Sequence, residues 1–283
     1  MQYDQTKEFT SGLGEFRMRQ VTSQEIKEIS FHILEDVAEF CDAHSIRYFL
    51  VCGTALGAVR HNGFIPWDDD VDIGMPRPDY IRFLLNYQSD NYVLCSSDRD
   101  KKYPYPFSKV CDFRTELIEN ISHPCRLGVY IDVFPIDGLP QEEITCRRHL
   151  RQIEWMQKLL TWKRIPLRKE KKLHYLVLHF ATKCVLSLFP ISFLVNRLER
   201  SLCKYPYASS EFVGHFVTKS YWGNDIKPRY LFDNPIRHKF ESTELWLPGG
   251  FDEYLRLEYG DYLKLPPVEK RVSNHEFVAY WKE

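Results

Sequence analysis

Residues 50–74 read LVCGTALGAVRHNGFIPWDDDVDIG, and three acids in this stretch, Asp68, Asp70 and Asp72, recur at every second position. In an extended segment, residues two apart share a face and stand about 6.6 Å apart. Val71 and Ile73 alternate with the acids, so the run is expected to pass from loop into a half-buried strand with Asp70 and Asp72 on one side. Carboxylates crowded in that way are costly unless a cation neutralises them. Oxygen donors without His or Cys suit Mg2+ or Mn2+ rather than zinc. An EF-hand register beginning at Asp68 puts Ile73 where the turn glycine belongs and Asp79 where the bidentate Glu belongs, which excludes that calcium site.

Upstream, RYFLV (47–51) reads as a short buried strand and ALGAVRHN as a short helix, joined through Cys52-Gly53-Thr54. Gly53 in such a turn lets backbone amides approach an anion, and Thr54 is expected to cap the helix, whose N-terminus adds partial positive charge. The same fragment therefore offers a phosphate cradle and a metal seat. Arg60 and His61 on that helix and Lys109 on a later strand are the cations expected to reach phosphate. Asp132 in GVYIDVFPID stands alone among apolar residues, an unfavourable place for a carboxylate without a partner or a metal, so it is the candidate third acid. Asp137, beside Gly138, reads as a turn residue.

Outward from this centre, Thr22-Ser23-Gln24-Glu25 is a capping box opening a helix that runs to about Ala43. A helix is expected after Pro76 and Pro78, and strands at 92–96, 107–113 and 128–135. Past Pro140 the composition turns to long breaker-poor tracts, about 141–164 and 168–203, read as helices, with Pro190 ending or kinking the second. RHKFES (237–242) reads as a strand and FDEYLRLEYG (251–260) as an amphipathic helix. The fold class expected is α/β (α+β), a mixed sheet flanked by helices with a helical region in the second half. The division expected is an arm at 1–20, a core at 21–140, a helical region at 141–230 and a segment at 231–283 packing back on the core.

The 283 residues carry 38 Lys plus Arg against 39 Asp plus Glu, a net charge of −1, and lack the basic excess of a dedicated nucleic-acid binder. Eight scattered cysteines contain no CxxC pair, so neither a disulfide scaffold nor a zinc finger is expected. His123 and Cys125 read as structural residues rather than ligands. The first 20 residues lack an apolar core of the signal-peptide kind, and unpaired thiols point to the reducing cytoplasm. The segment 173–195 is long enough to span a bilayer, but it contains His174, His179, Lys183 and Pro190. A central Lys alone costs about 2.5–3.5 kcal/mol on insertion. A core helix or one docked on a membrane surface, flanked by cationic RKEKK and RLER, remains.

The run from Gly53 to Ile73 resembles the LicD family of the nucleotidyltransferase (polymerase-β-like) superfamily, which includes fukutin and fukutin-related protein. FDEYLRLEYGDYLKLPPVEKR (251–271) and GVYIDVFPIDGLP resemble two further family segments. The resemblance implies a nucleotidyltransferase-type sheet, Asp70 and Asp72 as the metal pair, Asp132 as third carboxylate and proton acceptor, and Gly53-Thr54 as the phosphate turn. Asp68 is expected to coordinate Mg2+ (or Mn2+) through water, and Arg60 and Lys109 to neutralise the diphosphate. The activity implied is transfer of a phospho-alcohol, phosphocholine from CDP-choline in the leading case, onto a hydroxyl of a cell-surface glycan or its lipid-linked precursor. Trp67 and some of the tyrosines would then cradle the quaternary ammonium. Two alternatives stay open: transfer of NMP from an NTP to a small molecule or protein, and a non-catalytic binding homologue. The location implied is cytoplasmic, peripheral on the inner face of the cell membrane, with no nucleic-acid partner.

Overall fold

The computed structural model describes residues 19–118, 125–166, 173–216, 226–272 and 278–282. Helix α1 (Ser23–Ala43) begins at the capping box: Thr22 Oγ1 accepts from the Glu25 amide at 3.3 Å, and Glu25 Oε2 accepts from the Thr22 amide at 2.9 Å. Its inner stripe, including Ile26, Ile29, Ile33, Leu34 and Val37, is buried, each such side chain contributing roughly 1.5–3 kcal/mol. That stripe lies on the central sheet, so one face of the sheet is covered from the start of the described chain.

Next come β1 (Phe49–Leu50), α2 (Cys52–His61), β2 (Asp72–Pro76), α3 (Arg77–Asn86), β3 (Val93–Cys95), β4 (Ser108–Ile118) and β5 (Leu127–Gly138). After α4 (Glu143–Arg164), α5 (Leu173–Ser187) and α6 (Ile191–Leu202) follow β6 (Phe212–Gly214), β7 (Lys227–Pro228), the hairpin β8 (Ile236–Phe240) and β9 (Thr243–Leu247), α7 (Phe251–Tyr259) and β10 (Val278–Trp281). The main sheet runs β1-β2-β5-β4-β10, with β3 on β4 and β6 and β7 extending from β5. Among the described residues only β2 and β5 pair in parallel; the other pairings are antiparallel. This is a mixed α/β fold. β10, from the far end of the chain, zips onto β4 with Val278 opposite Ile118, so the last described residues complete the sheet.

Several local expectations are corrected. Thr54 does not cap α2: the N-cap is Val51, with no side-chain bond, and the Thr54 hydroxyl accepts instead from the Asp72 amide at 2.8 Å, tying helix to strand. Asp137 is not in a turn but inside β5, 1% exposed, gripped by Arg77 through Nε at 2.6 Å and Nη2 at 2.5 Å. Two parallel N–H bonds to a carboxylate make this a charge-assisted pair that stabilises its own burial. As the sequence suggested, the tract over 168–203 is broken at Pro190, into α5 and α6, which are bent by 92°. None of the eight cysteines is in a disulfide. The expected arm up to residue 18, His123, Pro124 and the RKEKK flank lie outside the described residues.

Among the described residues no single helix is long and apolar enough to cross a membrane, although the bent pair His174–Ser187 and Ile191–Ser209 has the length and composition. Helix α5 is anchored by few groups: Lys163 Nζ donates to Leu186 O at 2.6 Å, and His179 pairs with Trp162 O at 3.0 Å. Leu186 and His179 face inward, but Val177, Leu178, Phe180, Val185 and Leu188 are between 56% and 79% exposed. An apolar face of this size left open differs from a core helix, which buries it.

Candidate active site

The parallel pairing of β2 and β5 puts Asp72 and Asp132 directly abreast. Residues in register on adjacent strands project to the same face, so a strand from the first half of the core and one from its end present their acids together. The Asp132 amide donates to Val71 O at 2.8 Å and locks that register. Asp70 lies just before β2, in the loop rather than on the strand as its spacing predicted, and Asp68 lies further back in the same loop. The loop nonetheless gathers all four: burial raises the Asp72 carboxyl well above the ordinary carboxylate range, and Asp70, Asp132 and Asp68 raise it further, while Lys109 pulls it back. Three like charges within range of one acid favour its protonated form.

Lys109 sits opposite Asp132 across the antiparallel pairing of β4 and β5 and bonds Asp132 Oδ1 at 2.5 Å. It is 2% exposed, and its ammonium lies 3.4 Å from the centre of the Tyr130 ring, 5.0 Å from Tyr105 and 5.3 Å from Phe107. The sequence reading gave Lys109 as a cation that reaches the donor phosphate. In the fold Lys109 is an internal counter-ion whose charge is spent on Asp132 and on aromatic faces.

Gly53 is adjacent to this group for a steric reason. A Cβ there would stand 2.9 Å from Asp68 Oδ2, so the carboxylate closing on the turn belongs to the protein itself. Its neighbour Cys52 carries the backbone cost, with φ of +49° in the left-handed region. The Cys52 amide donates to the Tyr254 hydroxyl at 3.1 Å, and its Sγ lies 3.4 Å from Nε2 of His215, which is 6% exposed and stacked on Phe134.

Arg60, His61 and Trp67 form a second cluster at the C-terminal end of α2. Arg60 donates through Nε to His61 Nε2 and through Nη1 to Tyr262 O, each at 3.0 Å. Burial and the Arg60 charge lower the His61 imidazole below its usual value, favouring the neutral ring, which has one nitrogen able to accept such a bond. The guanidinium carbons of Arg60 and Arg271 lie 6.0 and 5.5 Å from the centre of Trp67. The indole expected to cradle a quaternary ammonium therefore already carries two cations.

Sequence reasoning missed Tyr259, Arg271, Tyr254 and His215. Burial pushes the Tyr259 hydroxyl well above its usual value, and the charges of Cys52, Glu258, Asp72 and Asp68 add to the effect, so the hydroxyl is within electrostatic range of these acids although the residue is 42% exposed. Tyr254, Tyr259 and Arg271 fall in 251–271, and only the family resemblance of that segment pointed to them. His215 lies in a stretch without any motif.

The donor set tests well for a hard divalent ion in kind: oxygen ligands only, with an excess of negative charge that has already raised one acid. Among the described residues, however, no three His, Cys, Asp or Glu side chains converge closely enough to hold an ion as they stand. Asp132 in particular is drawn toward Lys109.

With this geometry in view, comparison with known proteins is specific. A family model described as LicD/FKTN/FKRP, nucleotidyltransferase domain, matches residues 45–137, the span from before β1 to Asp137. The chain is 30% identical over 274 residues to the lipopolysaccharide cholinephosphotransferase LicD of Haemophilus influenzae, covering 93% of this chain and 99% of that protein. A shorter stretch of 34 residues is 53% identical to the ribitol 5-phosphate transferase FKRP of Homo sapiens, 12% of this chain and 7% of that one.

Proposed function

The chain is a member of the LicD family of transferases, and on that premise we propose that it moves phosphocholine from CDP-choline onto a hydroxyl of a cell-surface glycan or its lipid-linked precursor. The observation that carries the reading is the lateral register of Asp72 and Asp132, with Asp70 and Asp68 gathered close enough to raise Asp72. The names of the Haemophilus and human relatives support a phospho-alcohol as the group moved. Asp68, Asp70, Asp72 and Asp132 are the residues to hold Mg2+ (or Mn2+). Such an ion, when bound, supplies positive charge to the donor phosphates and makes the acceptor hydroxyl more acidic.

The protein's own groups account for the rest. The acceptor oxygen forms a bond to the phosphorus bearing the alcohol, the bridging P–O bond breaks, and CMP leaves. The acceptor proton passes to Asp132 at Oδ2, the oxygen opposite the one that Lys109 holds. Lys109 holds that carboxylate in orientation through its bond to Oδ1. The test is a donor screen with Mg2+ across CDP-choline, CDP-ethanolamine, CDP-glycerol, CDP-ribitol and NTPs, reading CMP against pyrophosphate. CDP-choline turnover with CMP release is expected in the wild type, and its loss in a folded Asp72→Asn variant. Release of pyrophosphate alone, or activity retained in Asp72→Asn, overturns the proposal.

The acceptor's lipid carrier would place the enzyme peripherally on the cytoplasmic face of the cell membrane. The open apolar face of α5 supports this reading, with Arg197 and Arg200 on the adjoining α6 to meet anionic head groups. Leu186 is buried, whereas Val177, Phe180 and Leu188 face out.

A further inference from the structure

Two donors close to the Lys109–Asp132 pair are buried without a hydrogen-bond partner, and both adjoin the ring of Tyr105. Arg164, the last residue of α4, lays its guanidinium carbon 4.2 Å from the centre of that ring. Its Nε is buried with no acceptor, and no other arginine nitrogen among the described residues is in that state. Tyr103, 1% exposed, meets the Tyr105 ring edge-on at 5.4 Å, and its hydroxyl is likewise buried and unpartnered. Burial raises that hydroxyl well above its usual value, and Asp132 is the strongest of the charges that add to the effect, so it keeps its proton and is a donor. The Lys109 ammonium lies 5.0 Å from the centre of the same ring, so one ring separates Arg164 from the Lys109–Asp132 pair. A buried cationic N–H and a buried O–H without acceptors are each costly to the fold. Ligand oxygens that accept from both remove that cost.

Arg164 also stands at a joint between helices. Lys163, next to it, donates to Leu186 O of α5, and Trp162 O pairs with His179 of α5. The end of α4 is therefore tied to the helix whose Val177, Phe180 and Leu188 lie open. Burial and the Lys183 charge lower the Lys163 amine, so positive charge gathers at this joint. An open apolar face, a cationic joint and the Asp132 carboxylate thus follow one another. The joint is also on the far side of Asp132 from α2. Thr54 bonds the Asp72 amide on the β2 side of β5, whereas Tyr105 lies beyond Lys109 on the β4 side. An in-line displacement brings the attacking oxygen and the leaving group to phosphorus from opposite sides.

We propose that Arg164 and Tyr103, assembled on Tyr105, form a subsite for the phosphate of a lipid-linked acceptor. The phosphate oxygens accept from Arg164 Nε and from the Tyr103 hydroxyl, a charge-assisted bond and a neutral one. The hydrocarbon chain lies along α5, and the hydroxyl-bearing end reaches Asp132. The ligand class is a phosphate ester of a long-chain alcohol, which carries chain and phosphate in the order that the protein presents their partners. Calling this ligand the acceptor rests on the transferase reading above; the binding of a lipid phosphate here does not.

The test is titration calorimetry of the full chain with farnesyl phosphate, farnesol and inorganic phosphate, for wild type, Arg164→Gln, Arg164→Lys and Tyr103→Phe, with thermal midpoints taken without ligand. Wild type is expected to bind farnesyl phosphate at least about tenfold more tightly than either part alone, and Arg164→Gln to lose about tenfold or more of that affinity. Arg164→Lys should recover part of the loss, because it keeps the charge but not the fork. Tyr103→Phe should weaken farnesyl phosphate several-fold yet leave the ligand-free midpoint unchanged or higher, since the hydroxyl it removes has no partner in the fold. A purely structural hydroxyl would do the reverse, lowering the midpoint and sparing the affinity. Farnesyl phosphate affinity within about twofold of wild type in Arg164→Gln, an equal loss for farnesol, or no binding by wild type overturns the proposal. Co-sedimentation with anionic liposomes separates the two sources of a lipid phosphate. It should be unchanged in Arg164→Gln, and a fall matching that for farnesyl phosphate assigns the site to bilayer head groups and overturns the acceptor subsite. Loss of farnesyl phosphate binding in Arg164→Gln, in a protein that turns over no CDP-alcohol, leaves the lipid-phosphate site standing and removes the transferase assignment of its ligand.

Discussion

Replacing Lys109 by Met removes the ammonium 2.5 Å from Asp132 while keeping most of the side-chain volume. The side chains of Lys109 and Asp132 are 3% and 17% exposed, so the pair is nearly dry on one side and touches solvent on the other. Breaking a buried pair from one end costs about 3–5 kcal/mol, because the remaining charge is stranded. The partial exposure of Asp132 favours the lower end, about 3 kcal/mol. A chain of 283 residues, at about 2.1 cal/mol/K of unfolding entropy per residue, then loses about 5 °C of thermal midpoint. Asp132→Asn strands Lys109 instead, but three aromatic rings hold that ammonium, so about 2 kcal/mol is expected. The double variant Lys109→Met/Asp132→Asn leaves no stranded charge and should lie about 2–3 kcal/mol above the sum of the singles. Urea and thermal unfolding of the four proteins measure this. Single-variant losses that add to within about 0.5 kcal/mol would show that the pair does not function as the internal counter-ion described.

The raised Asp72 carboxyl makes stability depend on pH in a stated direction. Its folded value lies above the unfolded one, near 3.9, so its contribution is complete below that value and is lost as pH rises through the folded value. In chelator, the difference in midpoint between wild type and Asp72→Asn should therefore shrink or reverse on going from acid toward neutral pH, and Mg2+ should recover stability at the neutral end only in wild type. Parallel pH profiles for the two proteins would contradict this. For α5, co-sedimentation with anionic liposomes should fall sharply in Val177→Glu/Phe180→Glu, with unfolding unchanged because both side chains are exposed. Wild type remaining in the supernatant would rule out docking through this face.

Much of the architecture was legible in local pattern. The capping box at Thr22, the 3.6-residue stripe of α1 and the β-branched runs of β4 and β5 are short-range effects, and the elements formed where those signals lay. β6, β7 and β9 carried no such signal, since short strands completed by partners elsewhere have little pattern of their own. The acids at 68, 70 and 72 were evident as a charged run entering an apolar strand. Asp132 stood out because an isolated carboxylate in an apolar run demands a partner.

The sequence by itself determined the identity of the acids, the hardness of the ligand they suit and the family to which the chain belongs. Tertiary structure alone decided their counter-charges. The β4–β5 register turned Lys109 inward onto Asp132, β5 turned Asp137 from an apparent turn residue into a buried partner of Arg77, and the return of 251–271 brought Tyr259 and Arg271 to the site. A local pattern reports which face a residue occupies, because that depends on backbone period. Which charge it meets there depends on strand order and register across tens of residues, and no spacing along the chain encodes that.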